Sequence, residues 1–158
     1  MDKELIQNYT LKISQANKSG IIVILYELAD IYIADALTAF EKEDMVSFKS
    51  NCGHAGRCVA DLLEALDFSY ELAYPLMRLY IFINKQISLA AIKKDPAGLL
   101  HAGRLMGELK EAFVEVAGQD QSAPVMQNSQ TVYAGLTYGK SQLNENLSDE
   151  GTLRGFRV

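Results

Sequence analysis

Residues 17–42 read NKSGIIVILYELADIYIADALTAFEK, and the way this stretch folds decides the rest of the chain. It holds no proline, its single glycine stands near its start, and its apolar residues recur three and four apart, which is the period of a helix. The side-chain oxygen of Asn17 can accept a hydrogen bond from a free backbone N–H of the first turn, so we expect a helix from about Asn17 to about Lys42. At 100° per residue Ile21, Leu25, Leu28, Tyr32, Ala36 and Ala39 fall on one face, the expected core stripe. A second set, Ile22, Tyr26, Ile33, Leu37 and Phe40, lies about 100° around the helix. Either it widens the stripe, since a bundle helix touches two neighbours, or part of it is exposed for a partner helix.

Working outward, three more helical segments follow. Asp44 is a plausible cap for one that runs to about Leu66. Another covers about Glu71 to Lys94, with Pro75 tolerable because it falls near the first turn. The last opens with Asp95 as cap and Pro96 at its first position and ends near Val116. The connections are short, so consecutive helices return antiparallel. The expected fold is therefore all-α: an antiparallel up-down four-helix bundle with a short N-terminal segment and a long polar C-terminal tail. No strand pattern competes before residue 118, and there is no internal repeat. The bundle domain is placed at residues 1–117. From 118 to 158 the composition turns to glycine, serine, asparagine and glutamine with isolated Val132, Tyr133, Leu136, Tyr138 and Phe156, which reads as a tail that is either flexible or docked as an arm.

A chain of 158 residues, 49 % hydrophobic, is long enough for one domain with a real core. A net charge of −5 argues against nucleic-acid binding, which needs a clustered basic surface. Cys52 and Cys58 share a helix about 9 Å apart along its axis and on different faces, so they cannot bridge each other. Reduced thiols and a polar stretch from Met1 to Asn8 point to a cytoplasmic protein. The longest apolar run, Ile21 to Tyr26, is far shorter than the ~20 residues of a membrane span, so no membrane insertion is expected.

Catalysis finds little to work with. The Glu-x-x-His pairs of di-iron bundles are absent, since Asn51 and Gly98 stand three residues before His54 and His101. Cys52 and His54 point nearly opposite ways on one helix, so no metal site is expected there and Cys52 reads as a small buried hydrophobe. No carboxylate pair, Ser-His-Asp set or phosphate loop can be assembled. We therefore expect no catalytic residue, no metal and no cofactor.

The surplus lies in apolar helix surface. In the third segment Leu76, Leu79, Tyr80, Ile83 and Ile87 form the core face, while Ile81, Phe82, Leu89 and Ile92 fall among Arg78 and Lys85 on the other side, as a binding patch would. The second segment is cleanly amphipathic, with Phe48, Cys52, Ala55, Val59, Leu62 and Leu66 inside and His54, Arg57, Asp61 and Glu64 outside. In the fourth, Gly103 and Gly107 share a face with Leu100 and Val114, opposite the expected core residues Leu105, Leu109, Ala112, Phe113 and Val116. Each glycine costs roughly 1 kcal/mol relative to alanine, which close approach by another segment would justify; a locally weak helix is the alternative.

In order and spacing these residues resemble the FliS family of flagellin-specific export chaperones. Gln15-Ala16-Asn17-Lys18 and Leu25-Tyr26-Glu27 occupy the places of that family's Thr-Ala-Ser-Pro and Leu-Tyr-acid. Leu66-Asp67, Glu71-Leu72-Ala73, Leu79-Tyr80 and Lys93-Lys94-Asp95 resemble its later motifs, and the likeness extends over about residues 9–117. Lys18 stands where the family has proline, Phe113 where it has tryptophan, and the tail is longer. The resemblance implies a cytoplasmic chaperone that binds the disordered C-terminal segment of flagellin, prevents premature polymerisation and presents the subunit to the flagellar export gate. It also implies an N-terminal tyrosine segment over part of the client site, with Tyr9 near the matching position. The client-binding candidates are then Tyr9, Ile22, Tyr26, Ile33, Leu37, Ile81, Phe82, Leu89, Ile92, Leu100, Gly103 and Gly107, and the tail is expected to compete for the same surface. The other reading is a structural or adaptor bundle that self-associates through these patches without an unfolded client.

Overall fold

Asn17 caps as its chemistry suggests: its Oδ1 accepts the Gly20 N–H at 2.8 Å and starts the longest helix. The computed structural model describes residues 3–126, and among them lie α1 (Lys3–Gln15), α2 (Lys18–Glu41), α3 (Met45–Glu64), α4 (Ala73–Lys93) and α5 (Ala97–Gln119), with no strand. Asp44 accepts the Ser47 N–H at the head of α3, and Asp95 accepts the Ala97 N–H at the head of α5. Lys94 ends α4 in the left-handed region at φ 55°, a conformation that costs a side-chain-bearing residue about 1 kcal/mol or more.

α2 packs on α3 and α5, and α4 packs on the same two, so α2 to α5 close a ring around one core. Its largest fully buried side chains include Tyr26, Tyr80, Phe48, Leu62, Ile83, Ile87, Leu99 and Met106. Burying each such aliphatic or aromatic side chain is worth roughly 1.5–3 kcal/mol. The Tyr26 and Tyr80 hydroxyls bond to each other, so neither is left without a partner in the apolar interior. The Tyr26 ring also lies 5.3 Å from that of Phe113.

Three expectations are corrected. First, the N-terminal segment is a helix, α1, which packs on α2; Lys3, Glu4, Leu5, Gln7, Leu11 and Lys12 are good helix formers whose propensity outweighs the polar look of the stretch. Second, the α2 stripe is rotated. Tyr26, Ala29, Ile33 and Ala36 are buried at its centre, while Leu25, Leu28 and Tyr32 are half-buried at its edge. Third, α5 buries Leu99, Ala102 and Met106; Leu105, Leu109 and Phe113 flank them, and Ala112 and Val116 face solvent. α3 and the inner face of α4 match their projections, except that His54 is half-buried and stacks on Tyr32 at 4.9 Å.

α5 continues past the expected boundary at residue 117. Beyond it Asp120 accepts a hydrogen bond from Ser19 Oγ, Asn17 Nδ2 donates to the Asp120 carbonyl at 3.1 Å, and Val125 N donates to the Ala16 carbonyl at 3.0 Å. The expectations for Val132, Tyr133, Leu136, Tyr138 and Phe156 lie outside the described residues.

Candidate functional site

The seam between α2 and α5 gathers more of the expected residues than any other place. Its register is antiparallel, fixed by Ser19 with Asp120 near one end and by the Asp30–Lys110 ion pair midway. At Gly103 a Cβ would stand 3.2 Å from Ile33 Cγ2, so here glycine lets α5 approach α2 closely. At Gly107 an added Cβ would meet nothing within 4 Å, leaving a notch in the seam. Leu100 and Val114, on the same side of α5, are more than two-fifths exposed at 57 % and 49 %, and Leu37 is half-buried against the core.

α1 lies over α2 on the arc that carries Glu27. Tyr9 Oη donates to Glu27 Oε2 at 2.9 Å, and Lys12 Nζ donates to the same oxygen at 2.9 Å. The Lys12 ammonium also stands 4.9 Å from the centre of the Tyr9 ring. Burial, the hydrogen bond to Glu27 and the nearby Glu27 and Asp30 charges push the Tyr9 hydroxyl up to about 12. For Glu27 burial acts upward, but hydrogen bonds from Lys12 and Tyr9 and the charges of Lys12 and Lys110 outweigh it and hold the carboxyl below its ordinary value. One carboxylate thus fastens a helix whose own apolar residues Ile6 and Ile13 are exposed.

The remaining candidates do not converge. Tyr26 and Ile33 are buried in the core, which corrects the expectation that they are spare surface: the outer arc of α2 lies on the other side of the helix. Ile22 is half-buried and borders a depression at the end of the ring, together with Leu66, Leu72 and Phe113. On α4, Ile81, Phe82 and Ile92 are exposed, the Phe82 ring 5.9 Å from that of His101 and nearly perpendicular to it, whereas Leu89 is half-buried. Ile92 borders a groove of about 400 Å³ between α3 and α4, floored by Gly53 and Gly56 and rimmed by Lys49 and Arg57.

Sequence reasoning missed Lys12, Asp30 and Lys110, and met Glu27 only as the acid of a family motif. Their signal was available in part, since Tyr9 and Lys12 sit three apart and share one face of any helix through them. Among the described residues no three His, Cys, Asp or Glu gather as metal ligands would, and no helix is long and apolar enough to cross a membrane.

The described helices thus display apolar seams and polar fastenings. The chain matches the family model of flagellar protein FliS over residues 2–120 and belongs to that family. No curated protein matches the sequence.

Proposed function

We propose that the protein is a non-catalytic cytoplasmic export chaperone that holds the disordered C-terminal segment of flagellin, prevents premature polymerisation and delivers the subunit to the flagellar export gate. Membership of the family supplies the client. The observation that carries the reading is the fastening of α1 over α2 by Tyr9 and Lys12 to the single carboxylate of Glu27. A cover held by polar contacts can yield to a ligand that brings more apolar area. In this reading α2 to α5 act as an antiparallel up-down bundle. The client enters the α2–α5 seam at Leu37, Leu100, Gly103 and Gly107, and the exposed Ile81, Phe82 and Ile92 of α4 extend its track. A disordered client that folds on binding wraps large surfaces of this kind.

Calorimetric titration with a flagellin C-terminal peptide tests this. We expect a strongly negative heat-capacity change, affinity lowered at least tenfold by Leu100→Asp, and a smaller loss with Phe82→Asp, whose urea midpoint should stay near that of the parent. Leu100→Asp with an intact fold and undiminished affinity would take the seam out of the client site. The exposed Ile81 and Ile92 also favour a second reading, a self-associating adaptor; that protein would ignore the peptide and dimerise with concentration.

A further inference from the structure

The α3–α4 connection, residues 65–72, is short and internally tied. Asp67 Oδ1 accepts the Ser69 N–H at 2.9 Å, Tyr70 N donates to the Asp67 carbonyl at 3.2 Å, and Ala73 N donates to the Tyr70 carbonyl at 3.0 Å. The ties hold large apolar side chains outward. Tyr70 is 69 % exposed and Leu72 65 % exposed, and on either side of them in the chain Phe68 and Tyr74 meet edge to face at 5.5 Å, each still about half open. Single exposed hydrophobes are ordinary, but three within one tied connection and a fourth, Tyr74, in the first turn of α4 make a patch.

The patch continues inward. Tyr70 and Leu72 border a depression of about 440 Å³ with Leu66, Leu76 and Phe113 on its walls and Tyr80 beneath. An anchor side chain entering there would leave water for an apolar site. Around it the charge is one-sided. Asp67 lines the depression, Asp120 is bonded to the lining Ser19, and the exposed Glu64 and Glu71 stand three and four residues from Asp67 along the chain, while the charge of Lys18 reaches Asp67. A surplus of carboxylates favours a basic ligand and opposes an acidic one. A second copy of a chain with net charge −5 brings like charge, and so does an anionic lipid surface.

We propose that this connection and its depression form a second docking surface, separate from the α2–α5 seam, for a peptide segment of a partner protein that carries lysine or arginine beside large apolar anchors. The surface lets the protein hold such a partner while the seam is occupied.

The test uses the full chain and three probes: an amphipathic peptide of leucine, phenylalanine and lysine, the same peptide with glutamate for lysine, and phosphatidylglycerol vesicles. We expect saturable one-to-one binding of the lysine peptide, weakened severalfold by high salt and about tenfold or more by Tyr70→Ser with Leu72→Ser. These two side chains face solvent, so the urea midpoint of the double variant should hold, and its affinity for the flagellin C-terminal peptide should be unchanged. Equal binding of the glutamate peptide, binding of the vesicles, or binding of the lysine peptide undiminished in the variant overturns the proposal. So does dimerisation of the parent that the variant abolishes. A variant that loses the flagellin peptide along with the lysine peptide places the connection inside the client site and overturns it as a separate surface.

Discussion

α3 and α2 pack against each other, yet one shows its inside plainly and the other does not. α3 buries Phe48, Cys52, Ala55, Val59 and Leu62 on one stripe and exposes Arg57, Asp61 and Glu64 opposite, so its projection has one solution. α2 is apolar nearly all round. Tyr26, Ala29, Ile33 and Ala36 meet the ring core, while Ile24, on the opposite side from Tyr26, is buried outside that core, on the arc that carries Glu27 and faces α1. A helix apolar on two sides is covered twice. The inner cover is the ring of α3, α4 and α5; the outer one is α1, and it is the cover that polar contacts hold.

The sharpest way to break this comparison is a charge on the inner side of α2. Ile33→Asp would bury a carboxylate with no partner, at a cost of about 4 kcal/mol or more, comparable with the whole stability of a marginal domain. We expect loss of the helical circular-dichroism signal or aggregation. A folded Ile33→Asp protein with a normal urea midpoint would mean that Ile33 belongs to the surface.

Removing the outer cover should do less. Deleting residues 3–15 exposes Ile24 and releases the Tyr9 and Lys12 hydrogen bonds, a loss of about 2–4 kcal/mol by the burial of one aliphatic side chain and ordinary hydrogen-bond values. The ring should survive, with α3 amides still protected from exchange and α2 amides less so. Flagellin-peptide affinity should rise if, as proposed, the client has to displace α1. Equal loss of protection in α3 and α2 would show that α1 is part of the core and not a cover.

These outcomes also explain what was legible from the residues. The positions of α2 and α3 were, because Asn17 and Asp44 carry their caps in side-chain chemistry, and that of α5 nearly so: its cap is Pro96 and not Asp95, which stands one residue earlier and accepts the Ala97 N–H. The inner face of α2 was not, since two apolar stripes 100° apart fit equally well until the neighbour is known. Tyr80 of α4 settles it by giving the Tyr26 hydroxyl its partner. α1 was hidden because its helix is mostly polar, and its place depends on Glu27, fifteen and eighteen residues away from Lys12 and Tyr9. Of the client candidates, the α5 glycines were legible as a close approach only in part: Gly103 meets Ile33, while Gly107 meets nothing.

That pair of glycines sharpens the comparison at the scale of about 1 kcal/mol. Gly107→Ala gains helix propensity into open space and should stabilise by about 0.5–1 kcal/mol. Gly103→Ala places a methyl 3.2 Å from Ile33 Cγ2 on a buried, β-branched side chain with little room to shift, so it should destabilise by about 1 kcal/mol despite the same propensity gain. Urea midpoints of the two variants compare directly, and the same sign for both would put α5 farther from α2 than the packing indicates.

The smallest effect is the pH dependence of the outer cover, and it has two limbs. Glu27 is held below its ordinary value when α1 is docked, so its contribution is present above the carboxyl's ordinary 4.5 and is lost as pH falls through the docked value. Tyr9 is raised, so its contribution is complete below its ordinary 10.0 and is lost as pH rises through about 12. Docking of α1 should therefore be firmest between these limits and loosen at both ends, and because Glu27 and Lys12 are partly exposed the acid limb should be shallow and weakened by salt. Methyl resonances of Leu5, Ile6 and Ile13 report docking directly, and those of Val59 and Leu62 in α3 serve as the unmoved reference. Glu27→Gln should abolish the acid limb, and Tyr9→Phe should abolish the alkaline one while lowering the plateau by the loss of one hydrogen bond. Resonances of α1 and α3 that shift together at either end would report unfolding of the whole ring, and a Glu27→Gln protein that keeps its acid limb would move the fastening to another group.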